Sequence, residues 1–352
     1  MPLRADETAC VFTHGRASPI PLSDPARVSV APMLDWTDRH CRYFLRRVSH
    51  RVRLYTEMIT TGALIFGDAE RHLAFDPTEH PVAVQLGGSE PEDLARCARM
   101  AERRGYDEVN LNVGCPSERV QRGAFGACLM AEAPLVADCV KAMRDAVSIP
   151  VTVKHRIGIG RVESYEFMRD FVGTVAGAGC TTFIVHARNA VLEGLSPKEN
   201  REIPPLRHDF VHRLKREFPA LTIVLNGGIT TRAQVAEQLA QVDGVMIGRA
   251  AYHDPWILSD GRSSRSDVVH EVHAYACREV AAGTLLRHIT RHVLGLYLRR
   301  PGARQWRRML SDAGRLSQND PRLLLDALAT VESAHSKEVH DERRPQVEVQ
   351  GS

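Results

Sequence analysis

Residues 109–117 read Val-Asn-Leu-Asn-Val-Gly-Cys-Pro-Ser, so a short apolar strand runs into a turn that carries one cysteine between a glycine and a proline. This turn presents the thiol of Cys115 at the end of the strand instead of burying it. Seven other short apolar runs also lead into residues capable of function: 28–33, 54–58, 82–86, 151–154, 183–186, 223–228 and 245–249. Eight such strands predict a (β/α)8 TIM barrel enzyme, because the active site of that fold is assembled from the strand ends and the loops that follow them.

Size and charge limit the classes of protein to consider. The chain has 352 residues, of which 43% are hydrophobic, so it can bury a large core. A TIM barrel takes about 250 residues, which leaves roughly 100 for the ends and a second domain. The net charge is only +3, so nucleic-acid binding would have to come from a local patch of positive charge.

Cysteine usage and hydropathy predict a cytoplasmic protein without a metal site. The eight cysteines are scattered, with no CxxC pair and no metal-ligand spacing, which indicates reduced thiols. The N-terminus lacks the apolar core of a signal peptide. No apolar run reaches the roughly 18 residues that a membrane-spanning helix needs.

The alternation of strands with helical segments predicts the domain organisation. Residues 1–26 lack periodicity and are expected to form a flexible extension, whereas 27–260 are expected to form the barrel. Helices are predicted between the strands at 89–105, 134–146, 165–178, 207–218 and 231–239. Ser89 and Glu92 can form a capping box at the start of the first of these helices. An open doubly wound sheet is the competing layout, but eight repeats with functional strand ends favour closure.

The strand pattern stops at about residue 265. Helices are predicted at 268–298, 305–313 and 323–334, so residues 265–335 are expected to form a small all-α helical domain. Residues 336–352 are charged and polar without an apolar face, which predicts a disordered tail.

Two pairs of residues at the ends of neighbouring strands predict an anion site. Gly227 and Gly228 follow Asn226 at the seventh strand, and Gly248 precedes Arg249 at the eighth. Glycines let backbone N–H groups approach an anion closely, and the dipole of the following helix adds attraction. The loops after strands seven and eight of a barrel are a frequent phosphate site. Tight turns alone would also explain either pair, but two pairs with an arginine favour the anion site.

Lys154 ends an apolar strand, where it would be buried in the barrel mouth unless it met an electron-rich partner. The polar edge of a flavin, a Schiff-base substrate or a structural salt bridge would each provide such a partner. Gln85 and His186 also lie at strand ends, where they could bond a ring edge or a phosphate, or simply be polar residues of the rim.

Cys115 is a candidate nucleophile or general acid, although a lone cysteine often acts as a small hydrophobic residue. No partner His or Asn is identifiable by spacing, so a thiol-protease mechanism is not supported. A proton donor needs only reach and a suitable pKa.

Arginines are concentrated in the C-terminal helical region, at Arg287, Arg291, Arg299, Arg300, Arg304, Arg307 and Arg308. No Asp or Glu lies between Glu279 and Asp312. A solvated helix face is the simple explanation, but so long a stretch without acidic residues in a nearly neutral protein favours a surface for a phosphate backbone. Trp306, among these arginines, could stack on a base or pack in the core.

The motifs together resemble the tRNA-dihydrouridine synthases, which are flavin-dependent barrel enzymes, over about residues 28–313. They are APMLDWTDRHCR (31–42), NLNVGCPS (110–117), VKHRIG (153–158), HARNAVLEGLSPKENREIPPL (186–206), NGGI (226–229), IGRAAYHDPW (247–256) and GARQWRR (302–308). The SPKENREIPPL stretch and the terminal ARQWRR are similar to the DusA subfamily in particular.

The resemblance implies an FMN in the barrel mouth. The residues implied to hold it are Pro32 and Met33 against the isoalloxazine, Gln85 and Lys154 at its polar edge, and Gly227, Gly228, Gly248 and Arg249 around the phosphate, with Ala31, His186 and Asn226 also in the flavin site. Cys115 is implied to be the general acid and Asn112 to contact the substrate uracil. The resemblance further assigns Arg201, Arg304 and Arg307 to the tRNA site, and Arg156 and Lys198 are predicted to join the substrate and tRNA site, with the contact of Arg156 to flavin, base or phosphate left open.

The resemblance also implies a mechanism. NADPH reduces FMN, and a uridine of the tRNA D-loop, at position 20 or 20a, is swung out of its stack because C5 and C6 of a stacked base are out of reach. Hydride passes from flavin N5 to C6, and Cys115 donates a proton to C5. Lys154 and Arg156 could stabilise the negative charge that accumulates on the uracil. A monomer is expected.

Three other functions remain open on the sequence. A flavin-dependent reductase of small pyrimidines, of the dihydroorotate dehydrogenase type, would share the barrel and the cysteine but would not need an arginine-rich surface. A non-catalytic tRNA-binding protein would leave the cysteine turn unexplained. A metal-dependent barrel lyase or aldolase using Lys154 lacks a cluster of His and carboxylate residues at ligand spacing.

Overall fold

A computed structural model describes residues 27–160 and 163–342, so the predicted extension 1–26 and the last ten residues of the predicted tail, 343–352, lie outside the described residues. Eight β-strands form one sheet. They are β1 Val28–Val30, β2 Leu54–Thr60, β3 Val82–Gly87, β4 Glu108–Val113, β5 Val151–Arg156, β6 Thr182–His186, β7 Thr222–Asn226 and β8 Gly244–Ile247. Each predicted apolar run therefore contains a strand.

The sheet is parallel throughout and closes on itself. Neighbouring strands follow the order of the chain from β2 to β8, and β8 then pairs with β1. Between β1 and β2, Arg53 completes the circle, because its carbonyl accepts from the N–H of Val30 at 2.9 Å and its own N–H donates to the carbonyl of Val28 at 3.1 Å. The TIM barrel is confirmed and the open doubly wound sheet is wrong.

Fifteen α-helices lie in the described part of the chain: α1 Arg39–Val48, α2 Thr61–Phe66, α3 Ala69–His72, α4 Pro91–Arg104, α5 Glu118–Arg122, α6 Ala133–Ala146, α7 Tyr165–Gly177, α8 His208–Glu217, α9 Arg232–Leu239, α10 Arg249–His253, α11 Arg265–Ala281, α12 Arg287–Val293, α13 Ala303–Leu310, α14 Ala313–Leu316 and α15 Leu323–Glu342. Short 3₁₀ turns are found at Pro77–Glu79, Gly126–Ala131, Glu199–Arg201 and Pro255–Leu258. The five helices predicted between strands correspond to α4, α6, α7, α8 and α9. None of the described helices is long and apolar enough to cross a membrane.

The predicted capping box at Ser89 is wrong. Helix α4 begins at Pro91, and its N-cap is Glu90, whose side chain makes no capping hydrogen bond. A proline restricts the preceding residue to extended backbone, so the helix cannot begin earlier. Pro91 in the first turn also removes one of the N–H groups that a cap would satisfy.

The helix predicted over 268–298 is two helices. After α11, Gly283 adopts the left-handed conformation with φ 94°, and the N–H of Thr284 bonds back to the carbonyl of Glu279 at 2.9 Å. A left-handed glycine of this kind ends a helix. At the other end of this region, α15 continues to Glu342, so residues 336–342 of the predicted disordered tail are helical.

The C-terminal helices pack against the first barrel helix. Tyr43 of α1 stacks on Tyr275 of α11 with ring centroids 3.9 Å apart, and Asp38, the N-cap of α1, pairs with Arg291 of α12 at 2.6 Å. The boundary of a separate helical domain at residue 265 stays a prediction.

The barrel interior has an apolar side and a polar side. The apolar side is a cluster of buried residues, with Met33 packed against it: Ala31, Tyr55, Ala83, Ile184, Val224 and Met246. The polar side lies on β3, β4 and β5, where Gln85, Asn110 and Thr152 are buried. The seven cysteines of the described residues are all free thiols.

Candidate active site

The strands place their predicted functional residues at one end of the barrel. Asn112 lies beside Lys154 in the parallel register, and Arg156 lies beside His186. His186 lies in turn beside Asn226 on β7. Since side chains two apart on a strand face the same side, Lys154 and Arg156 point in the same direction as these neighbours. The residues form one ring at the carboxyl end of the barrel, which we call the mouth.

The turn after β4 holds Cys115 at the mouth. The side-chain oxygen of Asn112 accepts from the backbone N–H groups of Gly114 and Cys115, each at 3.0 Å. The carbonyl of Cys115 accepts from the N–H of Ala127 at 2.9 Å. The thiol is partly exposed, and its sulfur lies 3.5 Å from the hydroxyl of Ser117. The backbone is thus fixed from both sides while the thiol stays accessible.

The side chain of Lys154 is partly buried at the mouth and lacks a partner among the described residues. No hydrogen bond or ion pair of its ammonium is found within residues 27–160 and 163–342. Burial, followed by the nearby charge of Arg156, lowers the pKa of Lys154 to about 7. A lysine in this position favours a ligand that brings an acceptor or a negative charge.

Arg156 donates hydrogen bonds to backbone carbonyls of three different loop residues. Its Nε donates to the carbonyl of Gly114 at 2.9 Å, and its Nη1 donates to the carbonyls of Asn189 at 2.9 Å and Asn200 at 2.8 Å. Burial lowers its pKa to about 10. No carboxylate within the described residues pairs with it, so its charge is free to act on a ligand beside Cys115.

His186 is neutral in this surrounding. Burial, followed by the charges of Arg156 and Lys154, holds the pKa of the imidazole well below its usual range. A neutral imidazole can both donate and accept a hydrogen bond, which suits the polar edge of an aromatic ring.

The backbone of the predicted anion site adopts a conformation that favours glycine. Gly227 and Gly228 have left-handed φ values of 114° and 75°. A Cβ on Gly228 would lie 2.5 Å from Cδ1 of Leu206, so a larger residue would have to displace Leu206 and would also be strained at this positive φ. Asn226 supports the turn by donating to the carbonyl of Met246 at 2.8 Å. Gly248 is the N-cap of α10, and its Cβ position has only Ala31 nearby, at 3.8 Å.

Positive charge accumulates at the rim beside these glycines. Arg249 is exposed and pairs with Glu202 at 2.6 Å, so the arginine predicted at the anion site already has a carboxylate partner. Desolvation, followed by the charge of Arg249, lowers the pKa of both Arg188 and Arg201. Three arginines share one carboxylate here, which leaves an excess of positive charge.

The first strand supplies the apolar wall. Ala31 is buried, and its N–H bonds to the carbonyl of Ile247 on β8 at 2.9 Å. Pro32 and Met33 follow it and are partly exposed at the mouth. A flat apolar group could lie against these two side chains.

Comparison with known proteins identifies the family. A sequence model described as "Dihydrouridine synthase (Dus)" matches residues 29–334. The chain belongs to the dihydrouridine synthase family. The tRNA-dihydrouridine(20/20a) synthase of Pseudomonas syringae pv. tomato is 58% identical over 319 residues, which cover 88% of this chain and 95% of the relative. Two proteins of the same name, from Escherichia coli strain K12 and Yersinia pestis, are 58% and 56% identical over 87% and 89% of this chain, and cover 91% and 94% of their own lengths.

The family membership confirms the resemblance drawn from the motifs, but the structure separates two groups among the residues assigned to tRNA. Lys198 and Arg201 are exposed on the loop after β6, at the rim of the mouth. Arg304 and Arg307 are exposed on α13, outside the barrel. Trp306 is fully buried, and its indole N–H donates to the carbonyl of Val293 at 3.0 Å, so it packs in the core and does not stack on a base.

Other residues of this candidate site were missed from the sequence. Asn200 is fully buried, and its amide bonds the backbone of Val191 at 2.8 Å in both directions, which shapes the loop after β6. Glu108 and Asn110 lie behind Asn112 inside the barrel. The sequence contained a signal for Glu108 and Asn110, because polar residues at every second position of β4 place their side chains on the same face of the strand as Asn112. No group of three or more His, Cys, Asp or Glu residues that could hold a metal is found in the described ranges.

Proposed function

We propose that this chain reduces the C5=C6 bond of uridine to 5,6-dihydrouridine in the D-loop of tRNA, at positions 20 and 20a, with FMN as cofactor and NADPH as electron donor. The observation that carries the proposal is an accessible thiol, Cys115, beside two basic side chains, Lys154 and Arg156, that have no carboxylate partner in the described part of the chain. The relatives that are 58% identical over most of the chain are named tRNA-dihydrouridine(20/20a) synthases, which supports the choice of substrate.

The residues present fit FMN. Gly227 and Gly228 form a left-handed turn without Cβ atoms of their own, and Gly248 has open space where a Cβ would stand, with only Ala31 nearby at 3.8 Å; glycines of this kind let backbone N–H groups approach a phosphate. Lys154 and the neutral His186 would meet the polar edge of the ring system, and Pro32 and Met33 its apolar face. When bound, FMN supplies the hydride for C6 of the base.

The chain's own groups handle the proton and the charge. Cys115 donates its proton to C5. Two hydrogen bonds from the backbone N–H groups of Gly114 and Cys115 to Asn112 fix the turn and so place the thiol at the mouth, within reach of the base. The charges of Lys154 and Arg156 reach the sulfur, so they also stabilise negative charge on the uracil and on the thiolate left after transfer. Asn112 contacts the uracil.

Two charged surfaces hold the tRNA. Lys198 and Arg201 contact it at the rim, and Arg304 and Arg307 bind its backbone from α13. Spacing of three residues on a helix places the last two arginines on one face. We further propose that the protein acts as a monomer in the cytoplasm, where tRNA and NADPH are found.

The test is an anaerobic single-turnover experiment. The protein is reconstituted with FMN, the flavin is reduced with NADPH, unmodified tRNA is added, and the return of the oxidised flavin spectrum is followed. Reoxidation by tRNA, with dihydrouridine found at positions 20 and 20a by mass spectrometry, is expected. Failure to bind FMN contradicts the cofactor, and a bound flavin that free orotate reoxidises while tRNA does not indicates a small-pyrimidine reductase instead.

A further inference from the structure

A continuous row of hydrogen bonds crosses the polar side of the barrel. It begins at the N–H of Cys115, passes through three amide side chains and one hydroxyl, and ends at a carboxylate. The members, in order from the mouth inward, are Asn112, Gln85, Asn110, Thr152 and Glu108. The four links between these side chains are 2.8, 2.7, 2.8 and 2.7 Å long.

The two ends of this row permit only one direction of donation. Backbone N–H groups only donate, so the oxygen of Asn112 must face them and its NH2 must face Gln85. A carboxylate only accepts, so Thr152 must donate to Glu108 and accept from Asn110. Both ends therefore demand the same orientation for each of the three amides between them.

This direction decides what the mouth can offer. The oxygen of Gln85 is occupied by the NH2 of Asn112, and one of the two protons on its nitrogen is used by Asn110. What remains for a ligand is the other N–H. Asn112 likewise has only one N–H left for a ligand, because its oxygen accepts from two backbone N–H groups and its other N–H donates to Gln85.

We propose that Glu108 and Thr152 are positioning residues, which act through Asn110 to hold the amide of Gln85 so that it presents only N–H to a carbonyl or ring-nitrogen acceptor of the flavin in the mouth. Neither residue touches the ligand. The identity of the ligand as FMN rests on the proposed function, whereas the direction of the row does not.

Folding alone does not require this arrangement. The opposite side of the same interior is filled by Ile184, Val224 and Met246, so the barrel tolerates apolar side chains in these layers. Burying amides and a carboxylate is costly unless each group is bonded, and apolar replacements of buried polar groups are often neutral or stabilising. A directed row ending at the mouth is better explained by the ligand.

Glu108 is suited to be the fixed end. Arg53 pairs with it, and the hydroxyl of Tyr55 donates to Oε1, the oxygen that Thr152 uses, at 2.6 Å. Arg53 can only donate and the Tyr55 hydroxyl donates in this contact, so both oxygens of Glu108 act as acceptors and Thr152 donates to Oε1 as well.

The experiment measures the Kd of FMN for apoprotein carrying changes at Thr152. Thr152→Val keeps the shape and removes the hydroxyl, whereas Thr152→Ser keeps the hydroxyl and removes a methyl group. We expect the valine variant to bind FMN about tenfold more weakly, with an altered absorption spectrum of the bound flavin, and the serine variant to stay within about twofold of wild type. If Thr152 served only for packing, Thr152→Ser would bind FMN more weakly than Thr152→Val, because loss of the methyl group creates a cavity that valine does not.

Two further variants keep the outcome clear. Tyr55→Phe removes the other donor to the same oxygen of Glu108 without cutting the row, so its Kd should stay within about twofold of wild type. If Thr152→Val does not fold, Thr152→Ala removes the hydroxyl without steric demand and is compared with Thr152→Ser. Equal FMN binding by the hydroxyl-free variant and by Thr152→Ser overturns the positioning role. Failure of the wild type to bind FMN would instead overturn the proposed function.

Discussion

Positively charged side chains have partners at one end of the barrel, whereas two of those at the other end lack carboxylate partners among the described residues. At the amino end of the strands, Arg53 pairs with Glu108, and Lys215 pairs with Asp243 at 2.8 Å. Arg27 donates there to the backbone carbonyl of Asp243 at 3.2 Å. These cations line a cavity of about 670 Å³, but each has a partner. At the mouth, neither Lys154 nor Arg156 has a carboxylate partner within the described residues.

The difference separates stability from function. A paired cation inside a protein has its desolvation offset by its partner, whereas an unpaired one lowers the stability of the fold. The mouth therefore retains cations that folding disfavours, and a ligand with negative charge compensates them. Substitutions at the two ends should accordingly have opposite consequences.

The largest effect is expected for Cys115→Ala. The variant should bind FMN and tRNA and unfold like wild type, but lose roughly a hundredfold or more in the rate of flavin reoxidation by tRNA, because the proton for C5 has no donor. Stopped-flow absorbance under anaerobic conditions measures this rate. Cys128→Ser, which changes another partly buried thiol, is the control and should react normally. A Cys115→Ala enzyme with wild-type turnover would remove the general acid from the mechanism.

At the amino end, Arg53→Met should destabilise the protein by about 3 kcal/mol. The change leaves the carboxylate of Glu108, which is 2% exposed, without its cation. Urea unfolding of the apoprotein at pH 7 measures the loss. Arg96→Met, an exposed arginine on α4, serves as the control with the same change of charge. An unchanged midpoint for Arg53→Met would mean that pairing at this end contributes nothing.

The sequence was sufficient to predict many features of the fold and of the candidate site, but not all of them. Each predicted run contains a strand because apolar residues followed by glycines and polar residues are a local signal. Local signals that were overlooked explain two errors, since Pro91 fixes the start of α4 and Gly283 ends α11. The burial of Trp306 was also open to prediction, because Arg304 and Arg307 occupy the opposite face of α13.

Other features depend on distant segments and could not be read. Arg156 bonds carbonyls of residues 114, 189 and 200, which are brought together only by the closed barrel. The pairing of Arg249 with Glu202 likewise joins loops 47 residues apart in the chain. The direction of the hydrogen-bonded row through Asn110 requires the register of three strands.

At the mouth, Lys154→Met should raise the unfolding temperature of the apoprotein and weaken FMN binding. The pKa of Lys154 is lowered to about 7 in the folded state, so the charged form destabilises the fold fully below pH 7. The cost disappears as the pH rises through the ordinary lysine pKa, near 10.4. The gain from Lys154→Met should therefore be largest at pH 6.5 and shrink at pH 9.5 in calorimetric scans. Equal gains at both values contradict the lowered pKa.

The same pKa predicts proton uptake when FMN binds to the wild type. At pH 8 the lysine of the apoprotein is mostly neutral, and the hydrogen-bond acceptors at the polar edge of the flavin favour its charged form. At pH 8 the FMN phosphate is already a dianion, so calorimetric titrations in two buffers of different ionisation enthalpy should show about one proton taken up by the wild type. Lys154→Met should take up almost none at pH 8, and equal uptake by the two proteins would exclude Lys154 from the flavin site.

The smallest effect is expected for the exposed arginines of α13, which have no ion-pair partner in the described residues but lie at the surface in contact with solvent. Such charges cost the fold little, so Arg304→Gln with Arg307→Gln should leave stability and FMN binding unchanged. Each lost phosphate contact should reduce the slope of log K for tRNA against log salt by about one, because fewer counterions are released. Filter binding at several salt concentrations measures the slope, with Arg96→Gln as the matched control. A double variant that keeps the wild-type slope while its affinity is unchanged would show that tRNA is held at the mouth alone, and the unpaired charge of α13 would then be only a solvated surface.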